Sequence, residues 1–65
     1  MSKSFGIKAI REKKGMTQEK LSETSGVSRA IIAGLESGAR TNTQTDTLVK
    51  IARALEVEVS DIFLP

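Results

Sequence analysis

Leu48, Ile51, Ala52 and Leu55 recur at the spacing i, i+3, i+4, i+7, which lines one face of a helix and predicts an inward apolar stripe along this segment. Ile7 and Ile10, three apart among charged residues, predict a shorter helix over Ser4 to Lys14 with a narrower stripe. Between these two lie shorter groups, with Leu21 in one and Ile32 and Leu35 in another. Ile31 points about a third of a turn away from the Ile32–Leu35 seam and is expected to stay exposed. Val57 and Val59 alternate around Glu58, but two valines are too few for an independent strand.

The residues between these groups supply the stops and starts. Gly15 follows the lysine pair Lys13 and Lys14, a helix end in which the cations complement the dipole. Met16 is a candidate core residue. Thr17 is placed to cap a second helix, from about Gln18 to Thr24, with Glu19 in its first turn. Gly26 supplies a turn, Val27 anchors it, and Ser28 caps a third helix that ends at Gly38. Two short capped helices joined by one glycine turn are the pattern of a helix-turn-helix, whose second helix is carried on the surface where a DNA major groove can receive it.

Arg40 to Gln44 is a polar connector without periodicity, and Thr43 with Asp46, three apart, resembles a capping box before the fourth helix. Ser60 and Asp61 are candidates to cap a final turn carrying Ile62, Phe63 and Leu64. With no repeat or low-complexity segment, the expected architecture is all-α: five helices in one domain over residues 1–65.

Composition removes most of the chemical alternatives. The chain has 65 residues with no cysteine and no histidine, which excludes a disulfide frame, a thiolate nucleophile, an imidazole base and the usual zinc sites. No metal, cofactor or catalytic residue is expected, and the carboxylates form no recognisable acid/base pair. No apolar run approaches the ~20 residues of a membrane span, and no export signal is evident, so a cytoplasmic protein without a membrane partner is expected.

The net charge of +2 gains meaning once it is divided. Residues 1 to 40 carry eight cations against four carboxylates, a balance of +4, whereas the rest carry two against four, a balance of −2. The positive charge accompanies the helix-turn-helix segment, as a polyanion-binding surface requires.

The ordered set Ile10-Arg11, Gly15-Met16-Thr17-Gln18, Leu21, Gly26-Val27-Ser28-Arg29, Ile32, Leu35-Glu36, Gly38 and the Leu48 to Leu55 spine resembles the lambda-repressor-like, Cro/C1-type (XRE) helix-turn-helix family over nearly the whole chain. The resemblance implies a compact five-helix DNA-binding domain. It implies that Gln18 approaches a phosphate and braces a side chain of the third helix. Ser28, Arg29, Ala30, Ala33 and Ile31 would line the groove face, and Arg40, Thr41 and Asn42 would follow the sugar-phosphate chain. It further implies a partly buried ion pair between Arg11 and Glu36 with a structural role.

Several positions depart from the family pattern. Ala33 and Gly34 stand where polar or basic residues are common, so only Arg29 offers a long hydrogen-bonding side chain to the groove; Gly34 is expected to admit the DNA backbone or another helix. Ser22 and Ser25 replace apolar residues, and the Ser22 hydroxyl is expected to bond back to the preceding turn. Glu56 replaces a common C-terminal glycine, so a strained or differently wound corner is expected there.

These readings converge on a sequence-specific regulator of double-stranded DNA, expected to be a repressor and a homodimer. Val57, Val59, Ile62, Phe63 and Leu64 are the candidate dimer surface, unless they simply close the core. The alternative is a protein-binding helix-turn-helix module such as an antitoxin.

Overall fold

Gly26 has φ 78° and ψ 7°, a left-handed conformation that costs an L side chain about 1–2 kcal/mol and costs glycine little. It forms the bend of the helix-turn-helix, while Gly15 (φ 72°) and Gly38 (φ 85°) stop the neighbouring helices in the same way. The computed structural model describes residues 6–40 and 43–62. In order these form α1 Ile7–Lys13, α2 Gln18–Ser25, α3 Arg29–Ser37, α4 Thr45–Leu55 and α5 Val59–Ile62, with no strand among the described residues. The expected start of the first helix at Ser4 lies outside the described residues.

Local hydrogen bonds start the helix pair. The Thr17 Oγ1 accepts from the Lys20 N–H at 3.0 Å, and the Ser28 Oγ accepts from the Ile31 N–H at 3.2 Å, caps worth about 1 kcal/mol each. Packing supplies the rest. Ile7, Leu21, Val27, Ile32, Leu35, Ile51, Ala52, Leu55 and Ile62 form one buried cluster, with α2 against α3 and α4, α5 against α4, and α1 against α3. Met16 is half-buried at the rim of this core. The Gly6 N–H donates to the Ile62 carbonyl at 2.7 Å, tying the start of α1 to the end of α5.

Four expectations about caps, the Ser22 hydroxyl and the chain end are corrected. Thr43 and Asp46 form no capping box: the N-cap of α4 is Gln44, which makes no side-chain cap hydrogen bond. That register puts Thr43 one residue too early and Asp46 one too early in the first turn to reach back. The reciprocal acid instead occurs at α5, where Asp61 Oδ2 accepts from the Glu58 N–H at 2.9 Å, so the final helix starts at Val59 rather than after Ser60. Ser22 points forward, its Oγ donating to the Val27 carbonyl at 2.7 Å and fastening α2 to the turn rather than to its own preceding turn.

The fourth correction concerns the chain end. Ile62 is fully buried against the same core as Ile51 and Leu55, which removes it from any dimer surface. Val57 and Val59 are half-buried, and Phe63 and Leu64 lie outside the described residues. The corner after α4 is strained as expected. Glu56 closes the helix with φ 61° and ψ 42°, the one non-glycine residue with positive φ among the described residues. No described helix is long and apolar enough to cross a membrane.

Candidate nucleic-acid interface

The amphipathic division of α3 decides which side chains it presents. Ile32 and Leu35 are fully buried, so the residues on the other flank are held outward by the same rotation about the helix axis. Ser28, Arg29 and Ala30 are exposed at its start, and Ala33 is half-buried one turn later. Arg29 makes no ion pair among the described residues. Ile31 does not stay exposed as expected: it is half-buried and packs on the core. Its outer edge borders a cleft with Arg40, Thr43 and Gln44 of the connector and Thr47 of α4.

Beneath the outward face lies a polar brace. Arg11 Nε meets Glu36 Oε2 at 2.7 Å and its Nη2 donates to Glu36 Oε1 at 3.1 Å, a two-pronged contact. The Arg11 Nη1 also donates to the Met16 carbonyl at 2.6 Å. The two side chains are only 10% and 3% exposed, and no buried side-chain polar atom lacks a partner among the described residues. The hydrogen bond to Glu36 raises the Arg11 guanidinium pKa, against the effect of burial. Burial pushes the Glu36 carboxyl up, but hydrogen bonds from Arg11 and Gln18 and the charge of Arg11 outweigh it and hold the group below its ordinary value.

Gln18, the first residue of α2, completes the brace with its Nε2 donating to Glu36 Oε1 at 3.0 Å. The expectation that it would hold a side chain of the third helix is met, and the partner is Glu36. A shallow depression lined by Lys8, Arg11, Gln18, Ala33, Glu36 and Ser37 connects this amide to the α3 face. Residues from α1, α2 and α3 are thereby locked into one orientation, which fixes where the start of α2 lies relative to the reading face.

Arg40 is exposed, and its N–H donates to the Gly34 carbonyl at 3.0 Å, folding the connector back over the end of α3. Thr41 and Asn42 lie outside the described residues. The structure thus groups Ser28, Arg29, Ala30 and Ala33 along one helix, sets Gln18 on the brace, and places Arg40 at the helix's far end. The close approach expected at Gly34 is made by Arg40 of the connector rather than by another helix.

Residues 7–62 match the helix-turn-helix family. The HTH-type transcriptional regulator SlrR of Bacillus subtilis (strain 168) is 35% identical over 57 residues, covering 88% of this chain and 38% of that protein; the chain therefore spans well under half the length of this relative. An HTH-type transcriptional regulator of Archaeoglobus fulgidus is 41% identical over 58 residues, covering 89% of this chain and 80% of the relative. The crystal structure of the restriction-modification controller protein C.AhdI from Aeromonas hydrophila matches with a TM-score of 0.82 and 35% identity over 88% of this chain and 85% of that one. With its capped helix pair, its outward α3 flank and the matched residues, the chain belongs to the lambda-repressor-like, Cro/C1-type (XRE) helix-turn-helix family of DNA-binding transcriptional regulators.

Proposed function

We propose that this chain is a sequence-specific repressor that places α3 in the major groove of duplex DNA as a homodimer, residues 1–65 acting as one domain in the cytoplasm. The observation that carries the reading is the exposed Arg29 at the start of α3, without an ion-pair partner among the described residues, beside exposed Ser28 and Ala30 and above a helix flank that is fully buried. Arg29 reads a guanine edge, a bidentate pairing worth about 1–3 kcal/mol of discrimination, while Ala30 and Ala33 offer methyl contacts to thymine. Gln18, at the braced start of α2, and Arg40, with Thr41 and Asn42 in the same connector, meet the sugar-phosphate chain. Such direct readout is sparse, so DNA shape carries part of the specificity.

A domain this size covers half an operator, and a twofold partner brings a second α3 to the next turn of the duplex, about 34 Å away. Val57 and Asp61 border a groove with Ile10, Lys13 and Lys14. In a twofold arrangement this patch meets itself, with the lysines of one protomer against Asp61 of its partner and the exposed edges of Val57 and Val59 between them. Bound at a promoter, the dimer excludes other proteins from the same groove, which is the repressor action proposed.

Selection from random-sequence duplexes tests the reading. The expected result is an enriched motif with two related half-sites and an affinity that falls steeply as salt rises. Equal affinity for every duplex, or binding insensitive to salt, contradicts it; a salt-insensitive chain that captures a protein instead supports the antitoxin-like alternative.

A further inference from the structure

Gly34 lies in the middle of α3, where glycine weakens a helix relative to alanine. Its backbone does not require glycine, because its φ lies outside the positive region adopted by Gly15, Gly26 and Gly38. Space is the remaining reason. A Cβ at position 34 would stand 3.2 Å from the Arg40 Cβ and 3.7 Å from the Arg40 Nε, whereas a Cβ at Gly15 or Gly26 would meet nothing within 4 Å. The Arg40 N–H is bonded to the Gly34 carbonyl at 3.0 Å, so backbone and side chain of Arg40 both lie against the bare segment of helix.

We infer that Gly34 is a positioning residue for Arg40: its missing side chain seats Arg40 flat on α3 and holds the guanidinium ready for a DNA phosphate flanking the groove. The inference rests on the DNA-binding reading proposed above. Gly34 follows Ala30 by one turn on the same strip of the helix, so the seat continues the exposed face that begins at Arg29. Arg40 is exposed and has no carboxylate partner among the described residues, leaving its charge available. An arginine on a free connector loses much rotamer freedom when it grips a phosphate; one already pressed against a helix loses less. A methyl at 34 pushes the Arg40 Cβ away by a few tenths of an ångström, and the long side chain carries that shift to its charged end.

The test is a double-mutant cycle of Gly34→Ala and Arg40→Ala, with affinity measured against salt concentration on a random-sequence duplex three helical turns long and the folded fraction followed by circular dichroism. Gly34→Ala is expected to leave Tm unchanged or raised, to weaken binding about three- to tenfold as for a displaced charge-assisted contact, and to lower the salt slope by about 1. In the Arg40→Ala background the same substitution is expected to change neither affinity nor slope, because the contact is already gone. The inference is overturned if Gly34→Ala binds like the unsubstituted protein. It is equally overturned if the loss is the same in both backgrounds, which is also what simple unfolding produces, since Arg40→Ala keeps the Cβ that meets position 34. Absence of salt-dependent binding by the unsubstituted protein overturns the DNA reading together with this inference; normal binding with additive losses overturns this inference alone.

Discussion

Replacing Arg11 with methionine removes the arm that joins α1, the α1–α2 turn and α3. In the native protein the guanidinium makes two contacts to Glu36, at 2.7 and 3.1 Å, and one to the Met16 carbonyl at 2.6 Å. The variant leaves a carboxylate that is 3% exposed with Gln18 as its one remaining donor among the described residues, and removes the Arg11 donor from the Met16 carbonyl. Removing one partner of a buried ion pair costs about 3–5 kcal/mol. A chain of 65 residues has a total stability of roughly 3–10 kcal/mol at typical per-residue values. The single substitution therefore takes away a large share of the margin and lowers Tm by on the order of 20 °C. The Arg11→Met/Glu36→Leu double variant removes both charges, and most of the loss is expected to return because no unpaired carboxylate remains. Thermal and urea unfolding followed by circular dichroism measure both. A single variant that loses less than about 1 kcal/mol, or a double variant no more stable than the single, refutes the reasoning that burial makes the pairing obligatory.

Three further outcomes follow from the same structure. Glu36 is held below its ordinary carboxyl value of 4.5, so its contribution is fully present above that value and lost as pH falls through the lower folded value; the stability difference between wild type and Glu36→Gln is expected to be largest above about pH 5 and to shrink on acidification, and a difference that grows on acidification contradicts the assignment. Glu56→Gly relieves a left-handed φ of 61° and is expected to raise stability by about 0.5–1 kcal/mol after the greater freedom of the unfolded chain is counted; Glu56→Ala brings no such gain in the same melts, and equal gains from both point to the carboxylate rather than the backbone. In duplex binding assays Arg29→Ala is expected to cost about 1–3 kcal/mol at the preferred site with little loss on random DNA, whereas Arg40→Ala weakens both alike; equal losses on both duplexes from Arg29→Ala mean that it reads no base.

Much of the fold was legible because its causes are local or strongly periodic. The Leu48–Leu55 stripe specifies a buried face whatever surrounds it, and Leu48, Ile51, Ala52 and Leu55 are all buried. Thr17 and Ser28 cap through amides three residues away, so sequence neighbours suffice to place them. The start of α4 was not legible for the opposite reason: Arg40 to Thr45 holds several polar residues that fit a cap position, and the one that takes it, Gln44, makes no side-chain cap hydrogen bond that would mark it. Ile62 looked alike as core or as interface, since an apolar residue near a chain end shows the same pattern in both; its burial depends on α5 folding back onto α4, where the Gly6 N–H holds the Ile62 carbonyl. At the site, the Arg11–Glu36 pair followed from the family resemblance, and the outward flank of α3 from the inward Ile32 and Leu35. The half-burial of Ile31 and the seat of Arg40 on Gly34 depend on how the chain turns after Gly38, which residue spacing does not encode.

Contact between the outward flank of α3 and DNA is tested by a backbone amide NMR titration with a duplex chosen by selection. That contact predicts the largest shifts on Thr17 to Gln18, Ser28 to Ala33 and Arg40, with little change at Ile10, Lys13, Val57 and Asp61 once the dimer has formed. Shifts confined to those four residues, with the amides of α3 unmoved, contradict it.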